Sequence, residues 1–124
     1  MDIMDFSQEL LATTREAIEN SKLYLDARKE FNSCLNQLQV LIFKAGLEKT
    51  KKSQENKIIE LLSDNLWGEQ AREINEKMLE SEAQYKGLEL VVKSYQAHAS
   101  ALQSILKMQI NGEISQAIQQ KYMR

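Results

Sequence analysis

With 124 residues, the chain has room for one domain. It contains no proline and only four glycines, which is too little turn chemistry for a multi-stranded sheet, so the composition favours an all-α protein. Charged residues of both signs make up 27% of the chain and the formal net charge is −2, a balance that excludes a strongly basic nucleic-acid-binding protein.

The first predicted helix covers about residues 6–45, and Asp5 or Ser7 is its candidate N-cap. Apolar side chains recur every seven residues along it, as in a helix that buries one stripe. They are Leu10, Ala17, Tyr24, Phe31, Leu38 and Ala45. Early in the helix the stripe widens on one side, through Leu11, Ile18 and Leu25, and later on the other, through Cys34, Leu35, Leu41 and Ile42. Such a drifting apolar face is expected for a helix with more than one neighbour. Gly46 is a common type of helix stop.

A short second helix is predicted at about residues 53–63, capped by Ser53 or Thr50. The segment 63–68 indicates a break before the next helix. Within it, we expect Trp67 to be a hydrophobic plug where the short helix turns into the long one.

The long third helix is predicted at about residues 68–110, because six heptads of apolar residues cover residues 71–109. Asn111-Gly112 predicts an interruption, followed by a short C-terminal helix at about 113–122. The predicted fold is a single all-α domain, residues 1–124, built as a long antiparallel helical hairpin.

A lone hairpin of this length buries only a narrow seam on each arm, so we expect a homo-oligomer. The candidate interface residues lie on the heptad seam of the third helix. They are Met78, Tyr85, Leu88, Val92, Tyr95, Leu102 and Leu106.

The chain has no catalytic motif, and we predict that it is not an enzyme. His98 is the only histidine, so neither a histidine-rich zinc site nor a Ser-His-Asp triad can form within one chain. Cys34 lies on the apolar stripe and is read as a buried structural thiol. Glu69, Glu73 and the acidic residues that follow them are read as a solvated face. We predict no catalytic residue, no metal site and no cofactor.

The candidate nucleic-acid site is the basic segment between the first two helices. Residues 44–57 carry five lysines against two glutamates, a local charge of +3. The lysines are Lys44, Lys49, Lys51, Lys52 and Lys57. Lysines at the tip of a hairpin can neutralise phosphates without reading bases. The alternative interpretation is a solvated loop that stays polar for solubility. Taken alone, the lysines favour this alternative slightly over a phosphate-binding site.

The order of elements resembles the small helical proteins found beside phage recombination genes, including the T4-type recombination mediator. The similar segments are 24–28 in the first helix, the basic bend 49–52, and 83–88 and 101–107 in the long helix. The resemblance covers roughly residues 20–110. It implies an oligomer that binds single-stranded DNA weakly and helps to load a recombinase, an annealing protein or a single-strand-binding partner.

A second resemblance is to the helical hairpins exported by type VII secretion. Trp67-Gly68 at the start of the long helix is similar to their Trp-X-Gly turn, although here Gly68 follows Trp67 directly. This resemblance implies a module that binds another helical protein.

The sequence also predicts where the chain resides. No apolar run is long enough to span a bilayer, and residues 1–5 lack the basic flank and apolar core of a signal peptide. The expected location is therefore cytoplasmic, in the bacterial host cell if the chain is phage-encoded, with no membrane partner.

Overall fold

The computed structural model of the chain describes residues 2–122. This part of the chain forms three α-helices, α1 (Ile3–Lys44), α2 (Gln54–Leu62) and α3 (Gly68–Tyr122), and contains no strand. The all-α class predicted from composition is confirmed. The bounds of α1 and α2 lie close to the predicted 6–45 and 53–63.

The C-terminal part of the chain differs from the prediction. Asn111-Gly112 does not interrupt α3, which continues to Tyr122, so the separate helix predicted at 113–122 is part of α3. A glycine inside a helix costs only about 1 kcal/mol, and Asn is tolerated there as well. Ile110, Ile114 and Ile118 continue the four-residue spacing of a helical face through the expected break.

The N-terminal cap of α1 also differs from the prediction. Asp2 rather than Asp5 or Ser7 accepts the hydrogen bond that caps the first turn, because the backbone N–H of Asp5 donates to Asp2 Oδ1 at 2.9 Å. The Asp5 carboxylate reaches back to the backbone N–H of Asp2 at 3.4 Å. The two aspartates also place negative charge at the positive end of the helix dipole.

α1 ends at the predicted glycine. Gly46 has a φ of +75°, in the left-handed region that side chains with a Cβ adopt only with strain. The N–H of Leu47 donates to the carbonyl of Ile42 and the N–H of Gly46 donates to that of Phe43, both at 3.0 Å. This pair of bonds is a Schellman motif, which satisfies the last carbonyls of α1.

The helices form two compact units. The bend unit is Leu23–Gly87, and the terminal unit consists of the described residues up to Lys22 together with those from Leu88 onward. In each unit a segment of α1 packs against a segment of α3, as in a helical hairpin.

The bend unit contains a continuous hydrophobic core to which all three helices contribute. Its buried residues are Cys34, Leu38, Leu41, Ile42, Leu61, Ala71, Ile74 and Met78. Leu38 from α1 and Leu61 from α2 are fully buried, so the short helix α2 is anchored to the pair formed by α1 and α3.

The terminal unit is much more thinly packed. Among its described residues only Thr13 and Leu102 are buried. The facing seam positions include Ala17, Asn20 and Ala99, which are half-buried and small or polar. Little apolar surface is therefore removed from water where this part of α1 meets α3.

Candidate nucleic-acid interface

The basic bend between α1 and α2 has a defined backbone. Both the N–H and the hydroxyl of Thr50 donate to the carbonyl of Leu47, at 3.3 and 2.8 Å. Ser53 is the N-cap of α2, and its hydroxyl accepts from the N–H of Asn56 at 3.3 Å. Of the two predicted caps, Ser53 therefore fills the role, and Thr50 closes the preceding turn instead. Because both ends of the bend are hydrogen-bonded, its lysines project from a fixed backbone.

Lys44 lies at the end of α1 with its ammonium 5.2 Å from the centroid of the Trp67 ring. Trp67 is half-buried against the core of the bend unit, and its backbone N–H donates to Asp64 Oδ1 at 2.9 Å. The ring thus has the plugging position predicted for it. A cation over an aromatic ring contributes about 0.5–1 kcal/mol at an exposed site, so Lys44 is partly committed to this contact.

Two further lysines of the predicted site are engaged within the bend. Lys52 forms an ion pair with Glu60 of α2. The ammonium of Lys57 donates to the backbone carbonyl of Glu48 at 2.9 Å. These contacts strengthen the connection between the bend and α2 and reduce the positive charge that is free to meet a phosphate.

Lys49 and Lys51 are both exposed. Within the described residues 2–122, neither has a hydrogen bond or an ion pair to another side chain. Of the five predicted lysines, these two are free to bind an anion without breaking an internal contact.

The predicted interface residues all lie on the side of α3 that faces α1. Met78 and Tyr85 are buried in the bend unit. In the terminal unit Leu102 is buried, whereas four others are half-buried: Leu88, Val92, Tyr95 and Leu106. The packing of α1 on α3 within one chain thus already covers much of this seam.

Tyr85 is the centre of an aromatic cluster in the bend unit. Its ring makes edge-to-face contacts with Tyr24 and Phe31, with centroids 6.1 and 5.3 Å apart. The guanidinium of Arg28 lies 4.5 Å from the Tyr85 centroid and covers the exposed side of the ring. Tyr85 is therefore a packing residue, in line with its position on the heptad seam, and is not open for stacking with a base.

The remaining candidates for site chemistry are isolated from one another. Residues 2–122 contain no group of three His, Cys, Asp or Glu side chains that could hold a metal ion. The His98 ring contacts Glu9 at 3.0 Å on the surface of the terminal unit. Cys34 is buried in the core of the bend unit beside Glu30, and burial, followed by the nearby Glu30 carboxylate, raises the pKa of its thiol.

The acidic side chains at the start of α3 all face solvent, as the sequence predicted. They are Glu69, Glu73, Glu76 and Glu80. On the outer face of α3, Lys86 pairs with Glu82 and Lys93 pairs with Glu89 one helical turn away. Solvent screens exposed pairs of this kind, so they add little stability and these lysines are ordinary surface charges.

One feature of α1 was not recognised in the sequence. The sequence predicts that Leu11, Ile18 and Leu25 broaden its buried stripe, but all three are exposed, as is Met4 one heptad before Leu11. Their seven-residue spacing was the available signal. It showed a repeated face without showing that this face has no neighbour in the chain.

The part of the chain that the structure describes has no helix long and apolar enough to cross a bilayer. Comparisons with protein-family models, with curated proteins and with solved structures found no match.

Proposed function

We propose that this chain is a non-enzymatic, oligomeric accessory protein of phage DNA recombination or replication. In this role it binds single-stranded DNA weakly and docks a recombinase, an annealing protein or a single-strand-binding protein. The phage setting comes from the resemblance in helix order and in the segments around the basic bend. The observation that carries the DNA contact is the pair of exposed, internally unpaired lysines, Lys49 and Lys51, on a hydrogen-bonded turn.

Two lysines from one subunit make a weak site. Each contacts phosphate through charge alone, so binding has little dependence on base identity. In an oligomer the same pair is repeated on every subunit, and such repetition raises overall affinity by about 10²–10⁴ without any new contact. Self-association is therefore an essential part of this function.

The experiment is a titration of labelled single-stranded DNA at low and at physiological salt. Wild type is compared with the double variant Lys49→Ala/Lys51→Ala. For single strands, the logarithm of the binding constant falls with the logarithm of the salt concentration, with a slope of about −0.7 for each phosphate contacted. Removing two contacts should therefore make this slope less steep by about 1.4 for each engaged subunit. The affinity of the double variant for DNA should also fall, while its helicity and mass stay unchanged.

The matched control is Lys86→Ala/Lys93→Ala, which makes the same change in net charge on the outer face of α3. It should bind DNA as wild type does. If both double variants weaken DNA binding equally, the effect comes from net charge and not from a site at the bend. If wild type does not bind DNA even at low salt, the proposed DNA function is wrong.

The second candidate is a protein-binding helical hairpin such as a type VII secretion partner. This candidate rests on the resemblance of Trp67-Gly68 to the turn of those hairpins. An added Cβ on Gly68 would lie 2.8 Å from the Leu62 carbonyl oxygen. Glycine after Trp67 is thus required for close packing at the turn. This function predicts a complex of fixed stoichiometry with a second helical protein and no salt-dependent DNA binding. Light scattering of the chain with the co-expressed product of a neighbouring gene tests it.

A further inference from the structure

The seam between α1 and α3 in the terminal unit is weakly packed. Only Thr13 and Leu102 are buried among its described residues, whereas the bend unit buries eight residues in one cluster. Ala17 and Ala99 line an open groove of about 300 Å³ between the two helices, so part of the seam is not filled. Because burial of apolar surface is the main force that holds helices together in water, the terminal unit is held far more weakly than the bend unit.

Polar contacts do little to close the terminal unit. Across residues 2–122, the bond between the His98 ring and the Glu9 carboxylate is the one side-chain hydrogen bond between α1 and α3. Solvent reaches both side chains and screens their interaction. Gln109 lies on the seam, and its side-chain oxygen is buried without a hydrogen-bond partner in this part of the chain. Such an acceptor is unfavourable while the helices are closed and gains water when they separate.

The bend unit is closed by contacts that the terminal unit lacks. Leu61 of α2 is fully buried in the core shared by the three helices. The aromatic cluster of Tyr24, Phe31 and Tyr85, with Arg28 over the Tyr85 ring, joins α1 to α3. Tyr24 and Tyr85 lie close to the two ends of the bend unit in the sequence, where the chain passes into the terminal unit. A separation of the helices that starts in the terminal unit would therefore meet strong packing at this boundary.

We propose that the terminal unit opens reversibly as one cooperative segment while the bend unit stays closed. In this opening, α1 and α3 separate along the seam in a single step. Proteins open in such units, and the population of each open form depends on how little surface the unit buries. Opening uncovers Leu102 together with the half-buried Val92, Tyr95 and Leu106, which are positions that the heptad spacing predicts as an interface.

The first test compares two buried thiols in one molecule by peptide mass spectrometry. Thr13→Cys places a thiol of similar size at a buried position of the terminal unit, and native Cys34 reports on the bend unit. A thiol reagent reaches position 13 each time the terminal unit opens, so this position should be labelled at least about 100-fold faster than Cys34. Leu11→Cys, at an exposed position on the same helix, needs no opening and should be labelled at least about tenfold faster than position 13.

Urea distinguishes opening of the unit from direct access of the reagent. The labelling rate at position 13 should increase with urea, because opening exposes the seam. The increase should be less steep than for Cys34, whose exposure requires unfolding of the larger core of the bend unit. A rate at position 13 that does not change with urea would show that the reagent enters a closed unit, and this result would contradict the inference.

The second test uses one truncation in each unit. Leu102→Ala removes a buried side chain from α3, the helix opposite Thr13, and should accelerate labelling at position 13 by at least about tenfold while Cys34 is unaffected. Ile42→Val is the counterpart in the bend unit and is mild enough to leave the protein folded. It should accelerate labelling of Cys34 by about two- to tenfold and leave position 13 unaffected.

The outcomes are decisive and do not depend on DNA. Equal labelling at position 13 and at Cys34 would mean that the terminal unit does not open by itself. No effect of Leu102→Ala at position 13 would mean that only the residues around Thr13 fluctuate, and an equal effect on both thiols would mean that the hairpin opens as a whole. Each of these results would overturn the inference, whereas absence of DNA binding would refute only the proposed function.

Discussion

Replacing Leu38 by alanine should lower the free energy of unfolding by about 3.5–4.5 kcal/mol. Leu38 is fully buried at the centre of the bend unit, where α1, α2 and α3 meet. Three carbon groups would lose their burial, which costs about 2.4 kcal/mol at about 0.8 kcal/mol for each group. The cavity left between the three helices adds a further loss of about 1–2 kcal/mol, which depends on how far the helices move in to fill it.

The assay is urea denaturation followed by circular dichroism, with Leu79→Ala as the matched control. Leu79 lies on α3 in the same unit but is 54% exposed, so its truncation should cost less than about 1 kcal/mol. The dependence of the free energy on urea should be the same for both variants, since neither changes the surface exposed on unfolding.

Leu61→Ala, alone and combined with Leu38→Ala, tests whether α2 belongs to the same packed core. Both side chains are fully buried in one cluster, so the two losses should not add. A loss for Leu38→Ala as small as that for Leu79→Ala, or simple additivity with Leu61→Ala, would refute this description of the core.

The bend unit also allows one labelling experiment and two glycine substitutions. In the native protein, Cys34 should react with a thiol reagent much more slowly than in denaturant. Because its pKa is raised, the increase of the labelling rate with pH should occur at higher pH than for a free thiol. Because the unfolded thiol loses its proton first, this group should reduce stability as pH increases through the ordinary thiol pKa. Gly68→Ala should cost about 1–3 kcal/mol, since its Cβ would displace the Leu62 carbonyl. Gly87→Ala, in open helical surroundings, should instead stabilise by about 0.5–1 kcal/mol in thermal melts.

Periodicity and local capping chemistry predicted the long helices, the short helix between them and the face of α3 that meets α1. The heptads from Ala71 to Leu106 remain on the side facing α1, and Gly46 and Ser53 occupy the stop and the cap assigned to them. These features depend on residues close in sequence. The break expected at Asn111-Gly112 is absent because a weak local preference does not end a helix whose periodic face continues.

The candidate site was less predictable than the fold. Five lysines looked equivalent in the sequence, yet Lys52 pairs with Glu60 and Lys57 bonds to the carbonyl of Glu48. Both contacts depend on how the bend folds back on α2. The exposure of Leu11 could not be predicted either, because an apolar stripe has the same sequence pattern whether it is buried against another helix of the chain or left exposed.

The aromatic cluster around Tyr85 determines how the two helices of the bend unit are aligned. Heptad seams tolerate sliding, since a shift of seven residues again places apolar side chains opposite each other. Such a slip would put Met78 or Val92 where Tyr85 meets Tyr24 and Phe31, and Arg28 would lose the ring that it covers. The cluster therefore distinguishes one register from alternatives that the apolar pattern alone would accept.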